Sequence, residues 1–427
     1  MTEQPESLVR DNTKRRIPYR WELLLLLWFA FFLQQADRQI YNNLLPLLKV
    51  DLQLNDVQVG MVASIFTAVF GLCVLIGGYA ADVWRRKWIV LFSLLVWSSA
   101  TVLTGLSTGL LGLIVFRGLS SGSGEAFYYP AAASLITQAH RKTKATALAI
   151  HQSAQYVGIV ASFLAGVVGE AYGWRNAFYL FGGFGILLGL VFIVRMQDTP
   201  PVSETGAASG NRTGRPPIRQ VFRAVLGTPT ALMLYAALAG HVFVAIGYLT
   251  WMPTLLHEKF GLSVGAAGFS SLAYHYACAL CGVLLGGRLS DRWVARRRTI
   301  RMEFEWVSLL LASPMIFLMG QASTLFVCCL ALGLFGFFRG VYDSNLWTAL
   351  FDVIAPPYRA SATGLMLAWA FLAGAFAPVL MGWAKGVFGL GTAVSALAGV
   401  YFASSMIVLT AQRTRFRKDC QEEEALG

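Results

Sequence analysis

Apolar residues in this chain come in twelve blocks of about 20, roughly the length a helix needs to cross a bilayer. The blocks fall at 21–45, 57–80, 88–107, 109–136, 145–170, 177–195, 229–255, 266–289, 302–320, 323–351, 361–385 and 391–410. They predict an all-α membrane protein with six spans before and six after a polar stretch. Helices are required because lipid cannot satisfy the open backbone edge of a spanning strand. The polar stretch, 198–226, opens on a run rich in Pro, Gly, Ser and Thr and reads as a flexible linker. It separates an N-terminal half, 21–197, from a C-terminal half, 227–411, with a polar arm at 1–20 and a tail at 412–427.

Composition agrees with this reading. The chain is 56% hydrophobic and 13% charged, whereas a soluble protein carries about 25% charged residues. A net charge of +12 would suit a nucleic-acid binder, but its placement argues otherwise. Of the Lys and Arg residues, Lys49, Arg175, Lys259 and Lys385 fall on one side of the predicted membrane, and Arg38, Arg117 and Arg339 fall within spans. The rest lie on the opposite side. That asymmetry is the positive-inside pattern, with both termini and the linker cytoplasmic and the chain in the cytoplasmic (inner) membrane. The basic loops are a topology signal, with membrane lipids and not nucleic acid as the partner. Residues 1–20 are polar and basic and the first apolar run is long enough to span, so it is expected to stay as a helix and not be cleaved.

Nothing in the sequence suggests an enzyme. No phosphate-binding loop, metal-ligand cluster or independently folding cytoplasmic domain is visible, and no cofactor is expected. Cys278 and Cys281 have C-x-x-C spacing, but they sit in an apolar helix beside Gly282 without His or acidic company, and read as packing residues.

The two halves repeat each other. Gly78-Tyr79-Ala80-Ala81-Asp82-Val83-Trp84-Arg85-Arg86 is matched about half the chain later by Gly287-Arg288-Leu289-Ser290-Asp291-Arg292-Trp293, which runs on into Arg296-Arg297. Leu54 to Gly60 resembles Leu262 to Gly268, Phe116-Arg117-Gly118 resembles Phe338-Arg339-Gly340, and Lys144-Ala145 resembles Arg359-Ala360. Parallel six-helix halves are what a secondary transporter uses to place a site at mid-membrane and rock around it. Gly158, Gly166, Gly169, Gly374 and Gly382 are small residues suited to close helix packing.

Charges inside the spans carry the candidate chemistry, since each costs about 2.5–3.5 kcal/mol at mid-helix on insertion scales and needs a partner or a task. Asp37 and Arg38 lie in the first span, Arg117 and Glu125 in the fourth, Arg339 and Asp343 in the tenth. About 100° of helical rotation separates Asp37 from Arg38, so the two are expected to face different neighbours. Asp37 shares its face with Tyr41, and Arg38 shares its face with Asn42. Arg117 and Glu125 fall on roughly one side, with Tyr128 and Tyr129 a turn beyond. A carboxyl in a low-dielectric interior can hold a proton near neutral pH, which makes Asp37 and Glu125 the proton-coupling candidates. A nearby Arg stays charged and can bind a carboxylate with two hydrogen bonds, with Arg38 the first choice and Arg117 the second. Protonating the acid then frees the Arg, coupling proton to anion. Arg339 and Asp343 are spaced to pair within their helix or to line the C-terminal side of a cavity. His241 has the best claim among the histidines, at mid-span near Tyr248. Gln152, Gln155 and Trp369 are further candidates to line the cavity.

The paired Gly-x-x-x-Asp…Arg loops, the twelve spans and the central linker resemble the major facilitator superfamily over nearly the whole chain. That resemblance implies that Gly78, Asp82, Arg86, Gly287, Asp291 and Arg292 brace a gate and do not touch substrate. The first copy departs from the usual pattern at Val83 and Arg85. Within the superfamily, Ala36-Asp37-Arg38-Gln39, Arg117-x7-Glu125-Ala126-x3-Pro130 and Gly173-Trp174-Arg175-x2-Phe178 resemble the anion:cation symporter family. The implied activity is alternating-access symport of protons with a small organic anion such as a sugar acid, by a monomer. Asp37 and Glu125 would carry protons and Arg38 would bind the substrate carboxylate. Spinster-like lipid transporters share the Asp-Arg pair and the Arg…Gly-Glu-Ala pattern, so a lysolipid or drug exporter is the alternative. A ligand sensor on the same fold is a further class, which would bind without flux.

Overall fold

The computed structural model describes residues 18–140, 143–197, 220, 225–294, 297, 299–355 and 358–420. Most of the expected arm and linker, and the end of the expected tail, lie outside the described residues, as do the surroundings of Gly78 and the side chain of Asp82. The predicted spans appear as helices. In the N-terminal half these are Tyr19–Asp51, Asp56–Val83, Arg86–Gly105, a segmented fourth span, Lys144–Ala161 continuing as Phe163–Tyr172, and Trp174–Arg195. In the C-terminal half they are Pro229–Phe260, Val264–Val294, Ile300–Gln321, Leu325–Phe351, Arg359–Gly374 continuing as Phe376–Phe388, and Leu390–Thr414. The first helix runs six residues beyond its predicted end, through Pro46, to Asp51.

Local chemistry sets several boundaries. The second helix opens with a capping box, in which the Asn55 side chain accepts from the Gln58 N–H at 2.8 Å and the Gln58 side chain accepts from the Asn55 N–H at 2.9 Å. The sixth and twelfth helices start after Gly173 at φ 89° and Gly389 at φ 81°, backbone conformations that favour glycine. These two turns occupy equivalent places in the halves.

The sequence repeat returns as a packing repeat. In the N-terminal half the first helix packs on the fifth, the second on the fourth and the third on the sixth; in the C-terminal half the seventh packs on the eleventh, the eighth on the tenth and the ninth on the twelfth. The halves meet where the second helix touches the eleventh and the fifth touches the eighth.

Ten helices among the described residues are long and apolar enough to cross a membrane by length and composition. The first and fourth fall short. They are the spans whose polar residues build the site.

At the end of the bundle away from the chain termini, called the far end here, the halves close on each other. Lys385 of the eleventh helix reaches Asp56 of the second at 3.1 Å and Glu258 of the seventh at 2.7 Å. Glu170 accepts from the backbone N–H of Val264 at 2.6 Å and of Gly265 at 3.3 Å, tying the fifth helix to the start of the eighth. A Cβ on Gly166 would lie 2.9 Å from the Cα of Gly265, and one on Gly382 would strike the carbonyl oxygen of Asp56. Small residues are needed where backbones approach this closely. The other far-end cations are also engaged: Lys49 with Asp56 at 2.7 Å, Arg175 with Asp51 at 2.5 Å, and Lys259 with the carbonyl of Gly320 at 2.7 Å.

Candidate functional site

The fourth span is interrupted. It runs as Leu110–Leu113, a π-helical stretch Ile114–Ser121, then Gly122–Ala126 and Tyr128–Ala139. Arg117 sits inside the π-helical stretch and Glu125 in the short helix after it. Such widened turns are frequent at functional sites.

Two ion pairs join this span to the first helix. Arg117 Nη1 donates to Asp37 Oδ2 at 2.7 Å, while its Nη2 donates to the backbone carbonyls of Asp37 at 3.0 Å and Arg38 at 3.1 Å. The other Asp37 oxygen accepts from the Thr101 hydroxyl of the third helix at 2.7 Å. Asp37 and Arg117 are 4% and 2% exposed, so this pair is desolvated and fully hydrogen-bonded. The second pair differs. Arg38 Nε donates to Glu125 Oε2 at 2.5 Å, with the Arg38 side chain 21% exposed and that of Glu125 fully buried. Glu125 Oε1 is buried without a hydrogen-bond partner among the described residues.

The expectation that Asp37 and Arg38 must address different neighbours fails, because both pair with the fourth span. The two residues stand almost level on their helix, whereas Arg117 and Glu125 are about 12 Å apart along theirs at α-helical rise. The long arginine side chains absorb the mismatch, Arg117 reaching to Asp37 from one direction and Arg38 reaching to Glu125 in the other.

A cavity of about 180 Å³ lies between the halves. Its N-terminal wall includes Arg38, Gln39, Tyr41, Asn42 and Arg117; its C-terminal wall includes Tyr276 and Arg339. Phe66, Phe70 and Phe371 add aromatic surface. The Arg38 guanidinium lies 4.0 Å above the Phe70 ring and that of Arg117 lies 4.6 Å from Phe66, cation–π contacts that orient both groups. Phe70 meets Phe371 edge to face at 5.2 Å, joining the halves beside Arg38. Asn42 donates to Gln39 at 2.9 Å, and Tyr41 donates to the carbonyl of Val59 at 2.8 Å.

On the C-terminal side, Arg339 Nη1 lies 3.1 Å from His275 Nε2, and its Nε is 3.7 Å from Asp343 Oδ2. Asp343 Oδ1 is 3.3 Å from His241 Nε2, and His241 Nδ1 lies 2.9 Å from the Tyr401 hydroxyl. His241 also stacks on Tyr342 at 4.6 Å. His241 therefore stands behind Asp343 in the protein interior, away from the cavity wall.

Other candidates are placed elsewhere. Tyr128 is fully buried in the N-terminal half, donating to the carbonyl of Leu27 at 2.5 Å and lying 3.2 Å from His151. Gln152 donates to Gln155 at 2.9 Å, and Gln155 is the one of the two that reaches the cavity. Trp369 is exposed and does not line it. Thr101, Tyr276 and the three phenylalanines were missed by sequence reading. None is charged, and no local pattern marks a hydroxyl or ring whose importance lies in what another helix presents to it.

Among the gating candidates, Asp291 lies in the last turn of the eighth helix with its carboxylate 3.8 Å from Arg301, which also holds Asp352 at 3.1 Å. This cluster ties the eighth, ninth and tenth helices within one half. Arg292 is exposed, Gly287 packs near Ser344, and Arg86 is buried at the start of the third helix.

Comparison with known proteins agrees with the architecture. A probable sulfoacetate transporter of Cupriavidus necator is 27% identical over 393 residues, covering 87% of this chain and 88% of its own length. A probable galactarate/D-glucarate transporter of Bacillus subtilis is 25% identical over 403 residues, covering 86% of each chain. Among solved structures, the inward-facing, unoccupied bacterial homologue of the lysosomal transporter Spinster superposes with a TM-score of 0.81 at 22% identity, over 95% of this chain and 99% of that one. That likeness speaks to the fold. The Major Facilitator Superfamily profile matches residues 27–378. With the repeat, the paired helix packing and this match, the chain belongs to the Major Facilitator Superfamily and is a multi-pass membrane transporter.

Proposed function

We propose that this protein is a proton-coupled symporter of small organic anions, with both termini on the cytoplasmic side of the cytoplasmic membrane. The observation that carries the reading is the Arg38–Glu125 pair at the cavity wall. Arg38 faces the cavity but is neutralised by Glu125, whose second oxygen has no partner among the described residues. A proton on Glu125 removes the opposing charge and releases the guanidinium to a substrate carboxylate or sulfonate, which it binds in the same fork geometry. Loss of the proton restores the internal pair and expels the anion.

Asp37 has a different part. Both of its carboxylate oxygens are already satisfied, by Arg117 and Thr101. It acts as the fixed anchor that positions the first helix, and Glu125 is the proton carrier. The halves 21–197 and 227–411 rock around the cavity, with the far-end contacts as one gate. The named substrates of the relatives, sulfoacetate, galactarate and D-glucarate, are small organic anions and support this substrate class.

The test is substrate-driven lumenal acidification in proteoliposomes loaded with a pH dye, using sugar acids, dicarboxylates, sulfonates, amino acids and lysolipids. Acidification with one anion class, diminished in Glu125→Gln, is the expected result. A response to lysolipid with silence across the anions would instead select the exporter reading.

A further inference from the structure

The cavity is charged on both walls. Arg38, on the first helix, is set against Glu125, and Arg339, on the tenth helix, is set against Asp343. The N-terminal half thus brings Arg38 and Arg117 to this space and the C-terminal half Arg339, and Arg38 and Arg339 each have one carboxylate as ionic partner among the described residues. The C-terminal pair is the looser, at 3.7 Å against 2.5 Å, and the Asp343 side chain is 40% exposed. Arg117 adds no free charge, since Asp37 and two backbone carbonyls hold it.

We propose that the substrate is a dianionic acid whose two anionic groups bind Arg38 and Arg339, and that Asp343 is a second proton acceptor. This rests on the symport reading above and extends it by charge balance. With both carboxylates ionised, each pair is neutral and the cavity offers a dianion no net attraction. One proton, on Glu125, frees one positive charge and still leaves the loaded site with an excess negative charge in a low-dielectric space. A second proton, on Asp343, frees Arg339 and matches the substrate charge. A two-ended anion then spans the halves, which a monoanion cannot do.

The groups around Asp343 suit that task. Arg339 lies on its own helix, His241 on the seventh, Tyr276 on the eighth, Tyr156 on the fifth and Tyr401 on the twelfth. Arg339 and Asp343 are the charged members of this group. His241, between Asp343 and Tyr401, is placed to share the proton.

The experiment compares D-glucarate with D-gluconate, which share a six-carbon hydroxylated skeleton and differ by one carboxylate, and sulfoacetate with acetate. Uptake into proteoliposomes and the proton:substrate ratio, from the reversal potential, are measured for the wild type, Asp343→Asn and Arg339→Gln. Expected are a preference for the dianion of about tenfold or more, the worth of one charge-assisted hydrogen bond, and electroneutral transport with two protons. In Asp343→Asn the ratio falls to one and uptake becomes sensitive to membrane potential. In Arg339→Gln the dianion preference disappears. Equal transport of mono- and dianions by the wild type, or an unchanged ratio in Asp343→Asn, overturns the proposal while leaving anion symport intact. No anion-driven proton movement at all defeats the symport reading itself. If the variants do not fold, the wild-type preference and ratio decide alone.

Discussion

Arg38 and Glu125 meet at 2.5 Å across the first and fourth helices, and the second oxygen of Glu125 is buried with no partner among the described residues. This is an incomplete arrangement. A carboxylate held for structure alone is expected to be fully hydrogen-bonded when buried, as Asp37 is, next to Arg38 on the first helix. On the symport reading proposed above, that oxygen is where the proton binds.

Glu125→Gln keeps the side-chain shape and mimics the protonated state. Substrate-dependent acidification is expected to fall, to no more than the one proton that Asp343 would carry, while anion exchange persists. At alkaline pH the variant is expected to bind anion tighter than the wild type by about 1.5–3 kcal/mol, because Arg38 is permanently released. Titration calorimetry across pH checks this. Anion affinity in Glu125→Gln that follows pH as in the wild type would falsify the assignment.

Asp37 and Arg117 are expected to behave as a structural unit. Removing one member strands the other in the interior, a loss of about 3–5 kcal/mol. Asp37→Asn and Arg117→Met should each lower the thermal midpoint strongly, and the double variant should recover much of the loss. Thermal unfolding in detergent measures the cycle; additive losses would mean that the two do not act as a pair.

Gly382 lies where the eleventh helix crosses the carbonyl of Asp56. Gly382→Val should force these backbones apart and disfavour the closed far end by about 1–3 kcal/mol, as overpacking does. A cysteine introduced at Thr250, on the cavity wall, should then react with a membrane-impermeant maleimide added at the far end. Unaltered labelling would show that this crossing does not hold the gate.

At the far end of the first helix, hydrogen bonds from Arg175 at 2.5 Å and from Trp174 at 3.0 Å hold the Asp51 carboxyl below the usual carboxylate range. A depressed folded-state value gives stability that is complete above the unfolded value of about 4 and is lost as pH falls through the folded value. The side chain is half-exposed, so screening keeps the effect small. The difference in thermal midpoint between the wild type and Asp51→Asn should be largest near neutral pH and shrink toward about pH 3. A constant difference over that range contradicts the pairing.

The span pattern and the repeat were legible because bilayer thickness and backbone satisfaction leave few alternatives to a long apolar helix. The six intramembrane charges taken as candidates were legible for the same reason, since each stands out against lipid, whereas Glu305, buried in the ninth helix, was passed over. The pairing of the six was not legible. Adjacency of Asp37 and Arg38 suggested separate partners, and only the interrupted fourth span and the reach of the arginine side chains bring both to one neighbour. Tyr128 shows the reverse limit. Its place one turn from Glu125 suggested a cavity role, yet its hydroxyl turns to the carbonyl of Leu27 in the core.

By itself the sequence determined that this chain spans a membrane in two similar halves, and which residues would be costly there without a partner. Tertiary structure decided which of those residues satisfy each other and which face the cavity. That division is physical: insertion energy is a property of each segment, whereas the pairing of charges depends on distances between helices remote in the chain.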